Sequence, residues 1–78
     1  MKVTTIEMFK TSRKGFEMFV EKNNLVKYTG HDLWSAHVTF YVDDKNVVHA
    51  SRATSSWNSN TEYQISERDN EQALNLVT

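Results

Sequence analysis

The hydrophobic and polar positions of the chain alternate most clearly between Ala36 and Ala53. There His37-Val38-Thr39-Phe40-Tyr41-Val42 runs into Asp43-Asp44-Lys45-Asn46 and returns as Val47-Val48-His49-Ala50-Ser51-Arg52. Period-two alternation on both sides of an Asp/Asn-rich turn predicts a β-hairpin. A two-residue loop at Asp44-Lys45 would pair Phe40 with His49 and put a histidine on the apolar side. With Asn46 in the left-handed region, a type I turn with a G1-like bulge instead pairs Val42 with Val48 and Phe40 with Ala50. That register predicts one face of Val38, Phe40, Val42, Val48 and Ala50, and another of His37, Thr39, Tyr41, His49, Ser51 and Ala53, with Tyr41 opposite His49. The first face is expected to be the core and the second a polar, aromatic surface.

Upstream, Thr4 to Asn23 follows a helical period. Wound at 100° per residue, Ile6, Met8, Phe9, Phe16, Phe19 and Val20 gather into an arc of roughly 160°, opposite Glu7, Lys10, Lys14, Glu17, Glu21 and Lys22. Thr4-Thr5-Ile6-Glu7 has the spacing of a capping box. Gly15 sits at the edge of the apolar arc, so the rival to one continuous helix is a break between Thr11 and Gly15. The echo of Ile6-Glu7-Met8-Phe9 in Phe16-Glu17-Met18-Phe19 reads as the same helix face recurring after about three turns. Asn23-Asn24 end the helix, and Leu25-Val26-Lys27-Tyr28 is a short extended segment before the turn Thr29-Gly30-His31-Asp32.

Beyond the hairpin, Glu62-Tyr63-Gln64-Ile65 alternates as another strand. Ser66-Glu67-Arg68-Asp69 offers an N-cap with acids in the first turn, leading into a short helix from Asn70 to Val77 whose apolar positions are Ala73, Leu74 and Val77. The expected architecture is therefore α+β: an N-terminal amphipathic helix, a three- to four-stranded antiparallel sheet around the hairpin at about 36–53, and a C-terminal helix. Both helices are expected on one sheet face. This order resembles the double-stranded-RNA-binding domain, whose middle is similar to the stretch from Tyr28-Thr29-Gly30-His31 through Val38-Thr39-Phe40-Tyr41-Val42. The family opens its last helix with a lysine cluster that binds phosphate. Here Ser66-Glu67-Arg68-Asp69-Asn70-Glu71 stands in that place, so the resemblance implies a fold and no function.

Seventy-eight residues, with no proline and glycine only at positions 15 and 30, read as a single domain spanning 1–78 whose turns rely on Asn, Asp and Ser. A chain this short buries only about 60% of its unfolded surface, so self-association or a partner matters to its stability. There is no cysteine to form a disulfide or a thiolate metal site. No apolar run approaches the roughly 20 residues needed to span a bilayer. Together these point to a cytoplasmic protein without membrane partners. The formal net charge of −1, from 9 basic and 10 acidic side chains, fits neither a nucleic-acid coat nor an acidic DNA mimic.

Chemistry-bearing residues do not form a motif. His31, His37 and His49 lack zinc-ligand spacing, no acid stands at a matched offset on the hairpin, and the only adjacent carboxylate is Asp32 beside His31. There is no nucleophile motif, so no catalytic residue, metal or cofactor is expected, and function is expected to come from binding. Trp57, set among Ser55, Ser56, Asn58, Ser59 and Asn60, either folds over the edge of the core or anchors a partner. The candidate contact surface is Trp57, Asn58 and Asn60 with His37, Tyr41, His49 and Arg52. The reading is a non-enzymatic protein-binding module, an inhibitor or adaptor of the kind phages and mobile elements encode against host or defence proteins. Two alternatives stand beside it. One is RNA or single-stranded DNA bound on the sheet by Lys27, Arg52 and Arg68 near Tyr28, Tyr41 and Tyr63. The other is a homodimeric structural protein joined through a free strand or face.

Overall fold

The structure, a computed structural model, describes residues 4–30, 37–55, 57 and 60–77. Their order is β1 (Thr4–Thr5), β2 (Met8–Thr11), α1 (Arg13–Lys22), β3 (Val26–Lys27), β4 (Val38–Val42), β5 (Val47–Thr54), β6 (Thr61–Ser66), a 3-10 turn (Glu67–Asp69) and α2 (Asn70–Val77). Five strands form an antiparallel path, β2-β6-β5-β4-β3, and β1 pairs in parallel with the start of β5. The α+β class and the C-terminal helix are as predicted; among the described residues the sheet has six strands instead of three or four.

The largest correction lies at the N-terminus. Helix α1 starts at Arg13, within the break that stood as the rival to one continuous helix, and Thr4–Thr5 and Met8–Thr11 are strands instead of helix. Ser12 caps α1, its Oγ accepting from the Gly15 amide at 3.0 Å. The physical reason is non-local. Strand β6 offers an open edge to Met8–Thr11, and Val47 and Val48 offer one to Thr4 and Thr5, so the backbone groups of this segment find partners across the sheet. The end of α1 is as expected. Asn24, at φ 54°, takes the left-handed position of a Schellman motif, with Asn24 N–H donating to Glu21 O and Leu25 N–H to Val20 O.

Both helices lie on one face of the sheet. Phe16 and Phe19 of α1 and Ala73 of α2 meet Ala50 and Ile65 in the core, with Leu25 beside them. Tyr41 and Tyr63 close the cluster, their rings 5.4 and 5.0 Å from that of Phe16. Val38, Phe40, Val42 and Val48 do share a face, as the alternation predicts, but it is the face away from the helices. Val42 and Val48 are buried there.

The hairpin explains this inversion. Its turn is the one predicted: Asn46 sits at φ 62°, Asn46 N–H donates to Asp43 O, and Val42 pairs with Val48. One residue further, the register shifts. Tyr41 pairs with Ala50 and Phe40 with Ser51, leaving His49 as the extra residue of a bulge. The expected pairs Phe40–Ala50 and Tyr41–His49 are therefore both wrong. A single inserted residue moves Ala50 to the opposite face from Val48, and with it the surface the helices cover.

Candidate functional site

The seven proposed contact residues separate into two groups. At one end of the sheet, the β5–β6 hairpin closes with Thr54 opposite Thr61 and the Ser55 amide donating to Asn60 O at 2.8 Å. Trp57 stands at its tip, 95% exposed, its amide on the Ser55 hydroxyl at 3.2 Å. The Thr54 amide donates to His37 O at 2.8 Å, so the exposed His37 joins the same end. A shallow cleft of about 410 Å³, lined by Ala53, Thr54, Ser55, Asn60 and Glu62, runs beside the tip. Arg52 lies one pair further in on the helix-covered face, half-buried between Thr39 and Tyr63. Asn58 lies outside the described residues, as do His31, Asp32 and Trp34.

Tyr41 and His49 leave this group. Tyr41 is half-buried against Phe16, so it does not belong to an open aromatic surface. The bulge turns His49 toward the helix side at the other end of the sheet. There Nδ1 lies 2.7 Å from Asp69 Oδ2 and Nε2 lies 2.8 Å from Asp43 Oδ2. Arg68 Nη2 sits 3.2 and 3.4 Å from the same two nitrogens. Their in-plane positions are taken by carboxylates, so the guanidinium rests against the ring instead of donating to it.

The two carboxylates are held ionised. The Val47 amide, with His49 and the Lys45 amide, draws the Asp43 carboxyl down to about 2 against the opposing effect of desolvation. Burial works to raise the Asp69 carboxyl, but the Ser66 hydroxyl, His49 and Arg68 outweigh it and hold it below the usual range. A small recess of about 180 Å³ beside the cluster is lined by Asn23, Leu25, Asp43, His49 and Asp69. Sequence reasoning missed this cluster and found no acid matched to His49. Asp43 is six positions from His49 and Asp69 twenty, and only the turn, the bulge and the 3-10 turn bring them together. The local signal available was the Asp43 side chain accepting from Lys45 and Val47, which anchors that carboxylate at the strand end.

Among the described residues no group of His, Cys, Asp and Glu has the arrangement of a metal site, and no helix is long and apolar enough to cross a membrane. No protein-family model, curated protein or solved structure matches the chain.

Proposed function

We propose that the chain is a non-enzymatic protein-binding module, an inhibitor or adaptor of the kind phages and mobile elements encode, whose contact surface is the β5–β6 tip. Trp57 is the anchor, and His37 and Asn60 supply polar contacts around it. The observation that carries this reading is the exposure of Trp57: its indole lies over no core edge, the other role open to it. An aromatic side chain buries about 150–250 Å² when covered. At about 25 cal/mol per Å² that is a gross apolar contribution of about 4–6 kcal/mol before the costs of association, of the size that interface hot spots carry.

The His49 cluster supports a binding role over a catalytic one, since both ring nitrogens are engaged and a general base needs one in reach of substrate. The stacking platform of the nucleic-acid alternative would need the rings of Tyr41 and Tyr63, which pack on Phe16. The test is affinity capture from a host lysate, with and without nuclease, using the native chain and Trp57→Ala. A protein partner lost on substitution, retained after nuclease, with an unchanged far-UV circular dichroism spectrum, is the expected result. Equal capture by Trp57→Ala, or capture abolished by nuclease, overturns the reading.

A further inference from the structure

Strand β2 ends the sheet, and among the described residues no strand pairs with its outer side. The phase of its hydrogen bonds follows from one contact. Glu67 N–H donates to Glu7 O at 2.8 Å, and the β2–β6 register continues that pair as Phe9 with Ile65 and Thr11 with Tyr63. These are the residues whose backbone groups point inward, because hydrogen-bonded and non-bonded pairs alternate in an antiparallel ladder. Met8 and Lys10 therefore turn their N–H and C=O groups outward. Phe9, between them, is 40% exposed, and Leu74 of α2, the helix packed on this strand, is 50% exposed.

The charges along this edge are graded. It begins at Glu7, beside Glu67, and ends at the start of α1 with Arg13 and Lys14. Arg13 pairs with Glu17 and Lys10 with Glu62, each at 3.0 Å, but all four side chains are at least half exposed and such pairs exchange readily. An edge that runs from acidic to basic is complementary to itself when reversed.

We infer that the outer edge of β2 pairs antiparallel with β2 of a second copy of this chain about a two-fold axis at Phe9. In that register Met8 of each copy exchanges both backbone bonds with Lys10 of the other, and the two Phe9 rings are direct neighbours on the helix side. Glu7 of one copy then lies opposite Thr11 of the other, next to Arg13 and Lys14, with Glu67 one strand behind it, and the arrangement repeats by symmetry. A parallel arrangement would set like charges together, and β3, at the other edge, is only two residues long. This surface borders the Trp57 tip at Glu62, which lines the tip cleft and pairs with Lys10, but it does not rest on the function proposed for the tip.

Sedimentation equilibrium from about 10 µM to about 1 mM protein tests the inference. The native chain is expected to form a concentration-dependent dimer whose dissociation constant rises between about 50 mM and about 500 mM salt. Lys10→Pro removes an outward N–H with no backbone partner among the described residues, and is expected to abolish the dimer with the far-UV spectrum unchanged. A charge swap covers the case in which that variant misfolds. Arg13→Glu/Lys14→Glu and Glu7→Lys/Glu67→Lys should each be monomeric alone and form a heterodimer when mixed. A native chain that stays monomeric throughout overturns the inference. So does a dimer indifferent to both sets of variants, or one that only Trp57→Ala dissociates.

Discussion

Two residues of the hairpin, three positions apart, separate what is local from what is not. Asn46 adopts its left-handed conformation because a short polar side chain tolerates that region and the turn needs it, a choice readable from Asp43-Asp44-Lys45-Asn46 alone. His49 sits where it does because the strand carries one residue more than its neighbour requires, and no property of histidine announces that. Its ring bridges two carboxylates from separate parts of the chain. His49→Ala should therefore cost about 1–3 kcal/mol, since it leaves Asp43 and Asp69 facing one another's charge without the ring between them. Urea unfolding checks the value. In a double-mutant cycle, adding Asp69→Asn to His49→Ala should cost less than Asp69→Asn alone, because the two side chains share one interaction.

At the scale of elements, the tripeptide Glu-Met-Phe occurs twice, and the fold treats the two copies differently. Met8-Phe9 lies in an edge strand with Phe9 40% exposed, whereas Met18-Phe19 lies in α1 with Phe19 1% exposed. Local propensity cannot divide them; the open edge of β6 decides the first and the Ser12 cap the second. The same principle, that elements are fixed by what they meet, governs the acid response. Asp43 in the β4–β5 turn and Asp69 in the 3-10 turn both have carboxyl groups lowered by folding. Lowered native values favour the folded state above the ordinary carboxylate range, and that contribution is lost as pH falls from about 4 toward 2. The chain should lose stability over that window, and Asp43→Asn should flatten the loss. Thermal melts at stepped pH compare the two slopes.

For the whole molecule, the helix-side core is small enough that one side chain can decide folding. Phe19 is 1% exposed and joins α1 to the cluster of Ala50, Ile65 and Ala73. Phe19→Ala should cost about 3–5 kcal/mol. A domain of this length is held by about 4–12 kcal/mol in total, so the variant should show a much lower melting midpoint or no cooperative transition by calorimetry. The core also shows where periodicity alone falls short. Val38, Phe40, Val42 and Val48 were recognisable as a set, but which set the helices would cover depends on the register past the bulge. The predicted contact residues divide for the same reason: His37, Asn60 and Trp57 share an end of the sheet, while Tyr41 packs against the core and His49 joins the acid cluster.

The sequence by itself determined the α+β class, the hairpin turn at Asn46, the end of the first helix at Asn23-Asn24 and the last helix from Asn70 to Val77. Each depends on interactions among residues a few positions apart, which capping, turn chemistry and hydrophobic period express directly. Tertiary structure alone decided that Thr4–Thr5 and Met8–Thr11 are strands, that Tyr41 faces the helices, and that His49 lies between Asp43 and Asp69. Those outcomes rest on backbone and side-chain partners far away in the chain, and a shift of one residue in strand pairing reverses them.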